Sequence, residues 1–318
     1  MSLISIVVPV YHNATSLPAL LDELRALAAR NASDGFEYVF VDDGSRDDSF
    51  AVLQRLAAQE PRMRVVKLSR NFGSNAAIVA GLSVARGDVV GAIAADLQDP
   101  PETFDEMLAI WRSGKKVVVA ARRDRDDPAL TTLFADWFYR LFRRFALQSM
   151  PERGFDFFVI DRHVVDLITG IEENNVYLMG LILWLGFDPS VVSYARRKRK
   201  EEYGRSRWTT AKKIKYFIDA FVAFSHLPVR AASILGVLLS VLGLGYALLI
   251  IALRLFSDIE VAGWSSLMVV LLIVSGAQLL MLGIIGEYLV RTLDETRKRP
   301  RFVIDHILER QGSHHPAP

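Results

Sequence analysis

Short apolar runs alternate with longer amphipathic stretches along the first half of the chain. Residues 5–9 are apolar and β-branched and predict a strand. Leu17, Leu20, Leu21, Leu24 and Leu27 recur at three- and four-residue spacing and predict a helix with one buried face. Residues 38–41 predict a second strand that runs into Asp42-Asp43-Gly44-Ser45. A helix follows at 50–58, a strand at 64–68, and a helix at 76–85 that should close at Gly87 as a C-terminal glycine. Strands are predicted again at 89–94 and 116–120. Strands that alternate with helices build a mostly parallel sheet. Ligands of such sheets gather at the carboxyl ends of the strands, where the polar clusters after Val8, Val41 and Ala94 fall.

The second half has a different pattern. Residues 231–253 and 261–286 carry no charged side chain apart from Glu260's neighbouring connection. At about 1.5 Å per residue each is long enough to cross a hydrocarbon layer of roughly 30 Å. Arg230 precedes the first run, and Arg291, Arg297, Lys298, Arg299 and Arg301 follow the second. Asp258 and Glu260 lie in the connection, so the positive-inside rule puts both chain ends in the cytoplasm. Trp264 sits at one edge, where amphipathic rings favour the headgroup level. The first ten residues have no basic segment before their apolar run, which argues against a signal peptide.

Composition sharpens this reading. The 318 residues carry a net charge of +2, with 51% hydrophobic and 23% charged residues. The mean hydropathy of +0.24 is high for a wholly soluble chain. No cysteine is present, which excludes disulfides, thiolate nucleophiles and Cys-bound zinc or iron–sulfur sites. Residues 195–215 hold ten basic residues against Glu201 and Glu202 alone. The adjoining segment interleaves Lys212, Lys213 and Lys215 with Ile214, Tyr216, Phe217 and Phe221, the pattern of an amphipathic helix at a membrane surface. The rest of the chain is not basic, so nucleic acid is not an expected partner.

Five places could carry chemistry. In Asp96-Leu97-Gln98-Asp99-Pro100-Pro101-Glu102, an Asp and a Gln two residues apart can aim oxygens at one hard cation such as Mg²⁺ or Mn²⁺. Asp42-Asp43-Gly44-Ser45 can offer carboxylates to a nucleobase or ribose, and is equally a turn signal. Arg122 and Arg125, and Ser206 and Arg207 within Gly204-Arg205-Ser206-Arg207-Trp208, supply phosphate donors; Asp124, Asp126 and Asp127 offer the first pair ordinary ion partners instead. Asp156, between Phe155 and Phe157, is a carboxylate in apolar surroundings and a candidate base, or else a helix cap. There is no Walker loop, no GxGxxG after the first strand and no GxSxG elbow. The histidines show no zinc spacing.

Taken in order, Val7-Val8-Pro9-Val10-Tyr11, Val41-Asp42-Asp43-Gly44-Ser45, Leu68-Ser69-Arg70-Asn71-Phe72-Gly73, residues 96–102, Gly286-Glu287-Tyr288-Leu289 and Lys298-Arg299-Pro300 resemble the membrane-anchored family 2 glycosyltransferases. These load a polyprenyl phosphate with one sugar. The resemblance implies a GT-A fold, Rossmann-like and mostly parallel, with a two-helix transmembrane hairpin. It implies a cytoplasmic catalytic domain over residues 1–208, an interfacial helix over 209–229, a hairpin over 230–290 (231–253 and 264–286) and a cytoplasmic tail over 291–318. It implies a nucleotide-sugar donor, UDP-glucose first, a divalent metal, an undecaprenyl or dolichyl phosphate acceptor in the inner membrane and a homo-oligomer. By the same resemblance Pro9, Tyr11, Asn13, Asp42 and Asp43 would line the nucleoside pocket. Asp96 and Gln98 would face metal and diphosphate, Arg122, Arg125, Ser206 and Arg207 would hold phosphates, and Asp156 would take the base position. The chain departs from the family at Ala94, where an Asp usually stands, at His12, and at Ser74-Asn75. Ala94 leaves room for a donor-binding protein without turnover. Arg207-Trp208 faintly suggests a polysaccharide synthase, but two spans are too few to wall a polymer channel.

Overall fold

The computed structural model describes residues 1–123, 140, 143–144, 147, 149–151, 154–155, 157–173, 177–197, 227–256 and 263–309. The chain forms two compact units, one from residues 1–220 and 299–318, the other from 221–298.

The first unit is an α/β domain of GT-A type. Its strands are β1 (Leu3–Val10), β2 (Gly35–Asp42), β3 (Met63–Leu68), β4 (Val89–Ala92), β5 (Val117–Arg122), β6 (Phe157–Asp161), β7 (Ser190–Tyr194) and β8 (Ile304–Leu308). Its helices are α1 (Leu17–Arg30), α2 (Ser49–Gln59), α3 (Ser74–Val84), α4 (Thr103–Arg112), α5 (Arg162–Gly170) and α6 (Leu178–Trp184). The described strands lie in one sheet in the order β7-β5-β6-β4-β1-β2-β3-β8. β1, β2, β3 and β4 pair in parallel, and β5 pairs in parallel with β7. β6 runs antiparallel between β4 and β5, and β8 antiparallel beside β3. Because β6 reverses twice, β5 and β7 point the same way as β1–β4. The carboxyl ends of six strands therefore share one edge.

The apolar runs read as strands because helices cover both faces of the sheet. Ile4, Ile6, Val8 and Val10 on one face of β1 join the five leucines of α1 in a core that excludes solvent completely at each of them. Val7, on the other face, meets α3: a Cβ at Gly81 would lie 2.3 Å from its Cγ1. Pro18 sits in the first turn of α1, where its missing N–H costs nothing.

Three expectations need correction. α3 stops at Val84 with an extended Ala85 as its cap, so Gly87 does not close it. Gly87 is instead where the chain crosses β1 closely: its N–H donates to Ser5 Oγ at 2.7 Å, and a Cβ there would come within 2.5 Å of that oxygen. The fourth strand ends at Ala92, not at residue 94, so Ala94 belongs to the turn that follows. The segment after the second apolar run is more than a tail. Its helix continues to Thr296, and residues 304–308 return to the sheet as β8. Ser69 N–H donates to the Val303 carbonyl at 3.0 Å, Glu309 pairs with Arg64 at 2.7 Å, and the His306 ring packs edge-on against Phe50.

The second unit contains α7 (Leu227–Phe256) and α8 (Trp264–Thr296), which extend about 45 and 50 Å. Their apolar stretches, Ala232–Ile250 and Ser266–Thr296, have mean hydropathies of 2.3 and 2.5 and are not buried within the protein. By length and composition both can cross a membrane. The helices pack closely at Gly236, where a Cβ would lie 3.2 Å from Met281 Cε.

Candidate functional site

The carboxyl edge of the sheet brings three loops together. The first follows β1. His12 adopts a left-handed backbone, φ 58°, which turns the chain sharply out of the strand. Its N–H donates to Ser45 Oγ at 3.1 Å, and the Asn13 N–H donates to Ser49 Oγ at 2.8 Å. The Asn13 side-chain oxygen accepts from the Tyr11 N–H at 3.1 Å. Pro9, Tyr11 and Asn13 are thus held against the loop after β2, each half-buried.

That second loop carries Asp42 and Asp43, both buried. The Asp43 N–H continues the ladder to the Val10 carbonyl at 2.8 Å. The Asp43 carboxylate accepts from the N–H groups of Phe72 at 2.7 Å and Gly73 at 3.0 Å, so it braces the loop after β3. Burial pushes its pKa up to about 6, against the opposing pull of those two N–H groups. Burial also raises Asp42, whose Oδ1 accepts from Ser45 N–H at 3.4 Å. Its other oxygen, Oδ2, is buried and has no hydrogen-bond partner among the described residues. Such an atom is costly unless a donor arrives. Beside these residues a cleft of about 510 Å³ is lined by Tyr11, His12, Gly44, Ser45, Arg46, Lys67, Leu68, Ser69, Arg70 and Asn71. Gly44 has φ 66°, and a Cβ there would lie 2.5 Å from the Arg70 carbonyl carbon. Glycine alone lets the two loops touch.

The third loop follows β4. Leu97 takes φ 58°, so the turn folds back and the Gln98 N–H reaches Asp96 Oδ1 at 3.3 Å. Ser16 Oγ donates to the Ala95 carbonyl at 2.6 Å and ties this turn to the start of α1. Asp96 and Asp99 are buried, and Gln98 is half-buried. The Gln98 Nε2 faces the Arg197 carbonyl at 3.5 Å, which leaves the amide oxygen as the end able to meet a cation. An Asp and a Gln oxygen form an all-oxygen pair, the donor chemistry of Mg²⁺ or Mn²⁺. Among the described residues no three carboxylate or imidazole groups converge as a metal cage. A cation here would complete its shell from water and substrate oxygens, as Mg²⁺ commonly does. The residues fit the group on those terms.

Sequence reasoning missed how the segment after β7 closes over this turn. Tyr194 Oη donates to Asp99 Oδ1 at 2.6 Å. Arg197 N–H donates to the Gln98 carbonyl at 2.8 Å. The Arg197 guanidinium bonds both oxygens of Glu23, at 2.7 and 2.9 Å, and both of Glu102, at 2.6 and 2.8 Å. Arg196 lies 3.2 Å from Asp99 and 3.9 Å from Asp96. Asp99 and the two arginines were visible only as members of an acidic turn and a basic run about a hundred residues apart. Nothing local in either segment says that they meet.

Arg122 ends β5 and pairs in register with Tyr194, so it lies on the same edge. Arg125, Asp156, Ser206 and Arg207 fall outside the described residues, as does most of the amphipathic segment expected over 209–229.

Four matches to known proteins bear on this edge. The sequence pattern of glycosyl transferase family 2 matches residues 5–168. An uncharacterized glycosyltransferase of Bacillus subtilis is 37% identical over 301 residues, 94% of this chain and 92% of its own. A prophage bactoprenol glucosyl transferase homolog of Escherichia coli is 31% identical over 96% of this chain and 99% of its own length. The bactoprenol glucosyl transferase of Shigella phage SfV is 32% identical over 95% and 97%.

Proposed function

The chain belongs to glycosyl transferase family 2 and is a glycosyltransferase; from that premise we propose that it moves one sugar from a nucleotide-sugar donor, UDP-glucose first, onto a polyprenyl phosphate at the cytoplasmic face of a membrane. One observation carries the acceptor. The match to the phage bactoprenol glucosyl transferase spans 302 residues, 95% of the chain. That leaves too few residues unmatched to omit either α7 or α8. The likeness therefore extends beyond the catalytic unit to the hairpin. The return of β8 to the sheet supports the topology, since a hairpin that crosses twice brings the chain back to the side it left.

In this reading Pro9, Tyr11 and Asn13 form one wall of the nucleoside pocket. Asp42 offers its unpartnered oxygen to a base or ribose donor, and Asp43 holds the opposite wall in place through Phe72 and Gly73. Asp96 and Gln98 would hold Mg²⁺ or Mn²⁺, which when bound offsets the charge that grows on the departing diphosphate. Arg122, with Arg125, Ser206 and Arg207, receives phosphates of donor or acceptor.

The transfer is a single displacement with inversion. A phosphate oxygen of the lipid forms a bond to the anomeric carbon as the bond to the nucleoside diphosphate breaks on the opposite face. A phosphate monoester is already largely ionised near pH 7, with a second pKa of about 6. The residues therefore have more to do in alignment and charge stabilisation than in deprotonation. Asp156 orients the acceptor or the sugar.

The test incubates membranes containing the chain with labelled nucleotide sugars, with and without Mn²⁺ or Mg²⁺. Label entering organic solvent as one sugar per lipid is the expected result, and a polymer or no glycolipid from any donor overturns the proposal. A second reading, a donor-binding protein without turnover, rests on Ala94. It predicts nucleotide-sugar binding with no product, and none gained in Ala94→Asp.

A further inference from the structure

Arg196 and Arg197 are neighbours with opposite surroundings. Arg197 is nearly saturated: two carboxylates take both arms of its fork, and its backbone is tied to Gln98. Four of its five N–H donors are engaged, which leaves it little to offer a ligand. Arg196 makes no hydrogen bond among the described residues. Its Nε is buried and lies 3.2 Å from Asp99 Oδ1, yet the N–H does not point at that oxygen. Its terminal nitrogen stands 3.9 Å from Asp96 Oδ2, close enough for attraction and too far for a bond. A quarter of the side chain remains exposed.

Asp99 keeps the guanidinium there. It is buried, and the Tyr194 hydroxyl fixes its Oδ1 from the far side. The Tyr194 ring is itself held edge-on against Phe157 in the core. So a rigid strand end positions Asp99, and Asp99 positions a cationic fork with unused donors beside Asp96. A fork that reaches Asp96 also reaches an anion that Asp96 helps to hold through a cation.

We propose that Arg196 is a diphosphate-binding residue of the donor site, positioned by Asp99 and Tyr194, and that it neutralises Asp96 when no cation is there. This rests on the reading of the turn at 96–98 as the cation and diphosphate site. The two roles have opposite signs. Without Arg196 a nucleoside diphosphate loses a cation and a planar pair of donors. Without Arg196 a divalent cation loses a like charge near its ligand.

Calorimetry with UDP and with GDP in the presence of Mn²⁺ measures the first role, and paramagnetic titration with Mn²⁺ alone measures the second. In Arg196→Met the affinity for whichever nucleotide the unaltered protein binds should fall about tenfold, the size of a charge-assisted hydrogen bond. Mn²⁺ alone should bind a few-fold more tightly. Arg196→Lys keeps the charge but not the fork, so it should restore the Mn²⁺ affinity and only part of the nucleotide affinity. It also serves if the Met variant does not fold. A merely structural role would weaken both ligands together. If the unaltered protein binds a nucleotide and both variants bind it within twofold, the assignment of Arg196 fails alone. If the unaltered protein binds neither nucleotide with Mn²⁺, the reading of the turn fails and the assignment with it.

Discussion

The loops after β2 and β4 are both Asp-bearing strand ends on the same sheet edge, yet the protein treats their carboxylates differently. After β2, Asp42 and Asp43 are buried among backbone N–H groups and hydroxyls, and burial raises both pKa values. After β4, Asp96 and Asp99 lie within reach of Arg196. The first environment surrounds its carboxylates with backbone N–H groups and a hydroxyl-bearing loop, which suits a base or a ribose. The second holds charge against charge, which suits a cation and a diphosphate. Equal residue types thus acquire separate tasks from what packs beside them.

The sharpest way to break this contrast is Asp96→Asn. If the β4 turn works through charge, transfer should fall on the order of 10²–10³-fold while thermal unfolding changes little. Full transfer in the label-partition assay would remove the distinction between the loops. Next is Gly44→Ala. A methyl group 2.5 Å from backbone at φ 66° cannot be accommodated without moving the loop at Arg70. Unfolding in urea should show a loss of about 3 kcal/mol.

The third effect is a pH dependence. Asp43 has a folded pKa of about 6, above its ordinary value of 3.8. The folded form therefore holds the proton more tightly. The stability from this group is fully present below about pH 4 and is lost as pH rises through 6. Asp43→Asn should flatten that part of the curve of unfolding free energy against pH, by at most about 3 kcal/mol between its ends. An identical slope in both proteins would place the titration elsewhere. The smallest change is Asp42→Asn. Loss of the unpartnered acceptor should weaken nucleotide binding about tenfold in calorimetry, with the Mn²⁺ titration unchanged. A shift in Mn²⁺ affinity would show that the two loops act as one site.

Much of the sheet was legible because its inner strands each hold a run of apolar residues. β1, β2 and β3 needed only the contrast between such runs and the turn residues after them. The edges were less so. β6 lies directly after Asp156 and, read along the chain, looks like the surroundings of a candidate base rather than a strand. β8 is five residues long, alternates half-buried with exposed positions and includes Asp305 and His306. Its propensity is weak, and only pairing with β3, more than 230 residues earlier, makes it a strand. Gly87 was misread for a related reason. Its lack of a side chain serves a contact with Ser5, 82 residues away, not the helix just before it.

The candidate site divides in the same way. Asp42, Asp43, Asp96 and Gln98 stand out in the sequence because short polar clusters end apolar strands. Their environments do not. The two N–H groups on Asp43, the missing partner of Asp42 Oδ2 and the approach of Arg196 to Asp96 come from other loops.

The amino-acid order by itself determined the elements whose cause is local: apolar runs long enough to cross a bilayer, the alternation of strand and helix, and the placement of carboxylates at strand ends. Tertiary structure alone decided strand order, the direction of β6, the return of β8 and which carboxylate meets a guanidinium. Those depend on desolvation and hydrogen bonds between residues far apart in the chain, and neither quantity exists until the sheet has formed.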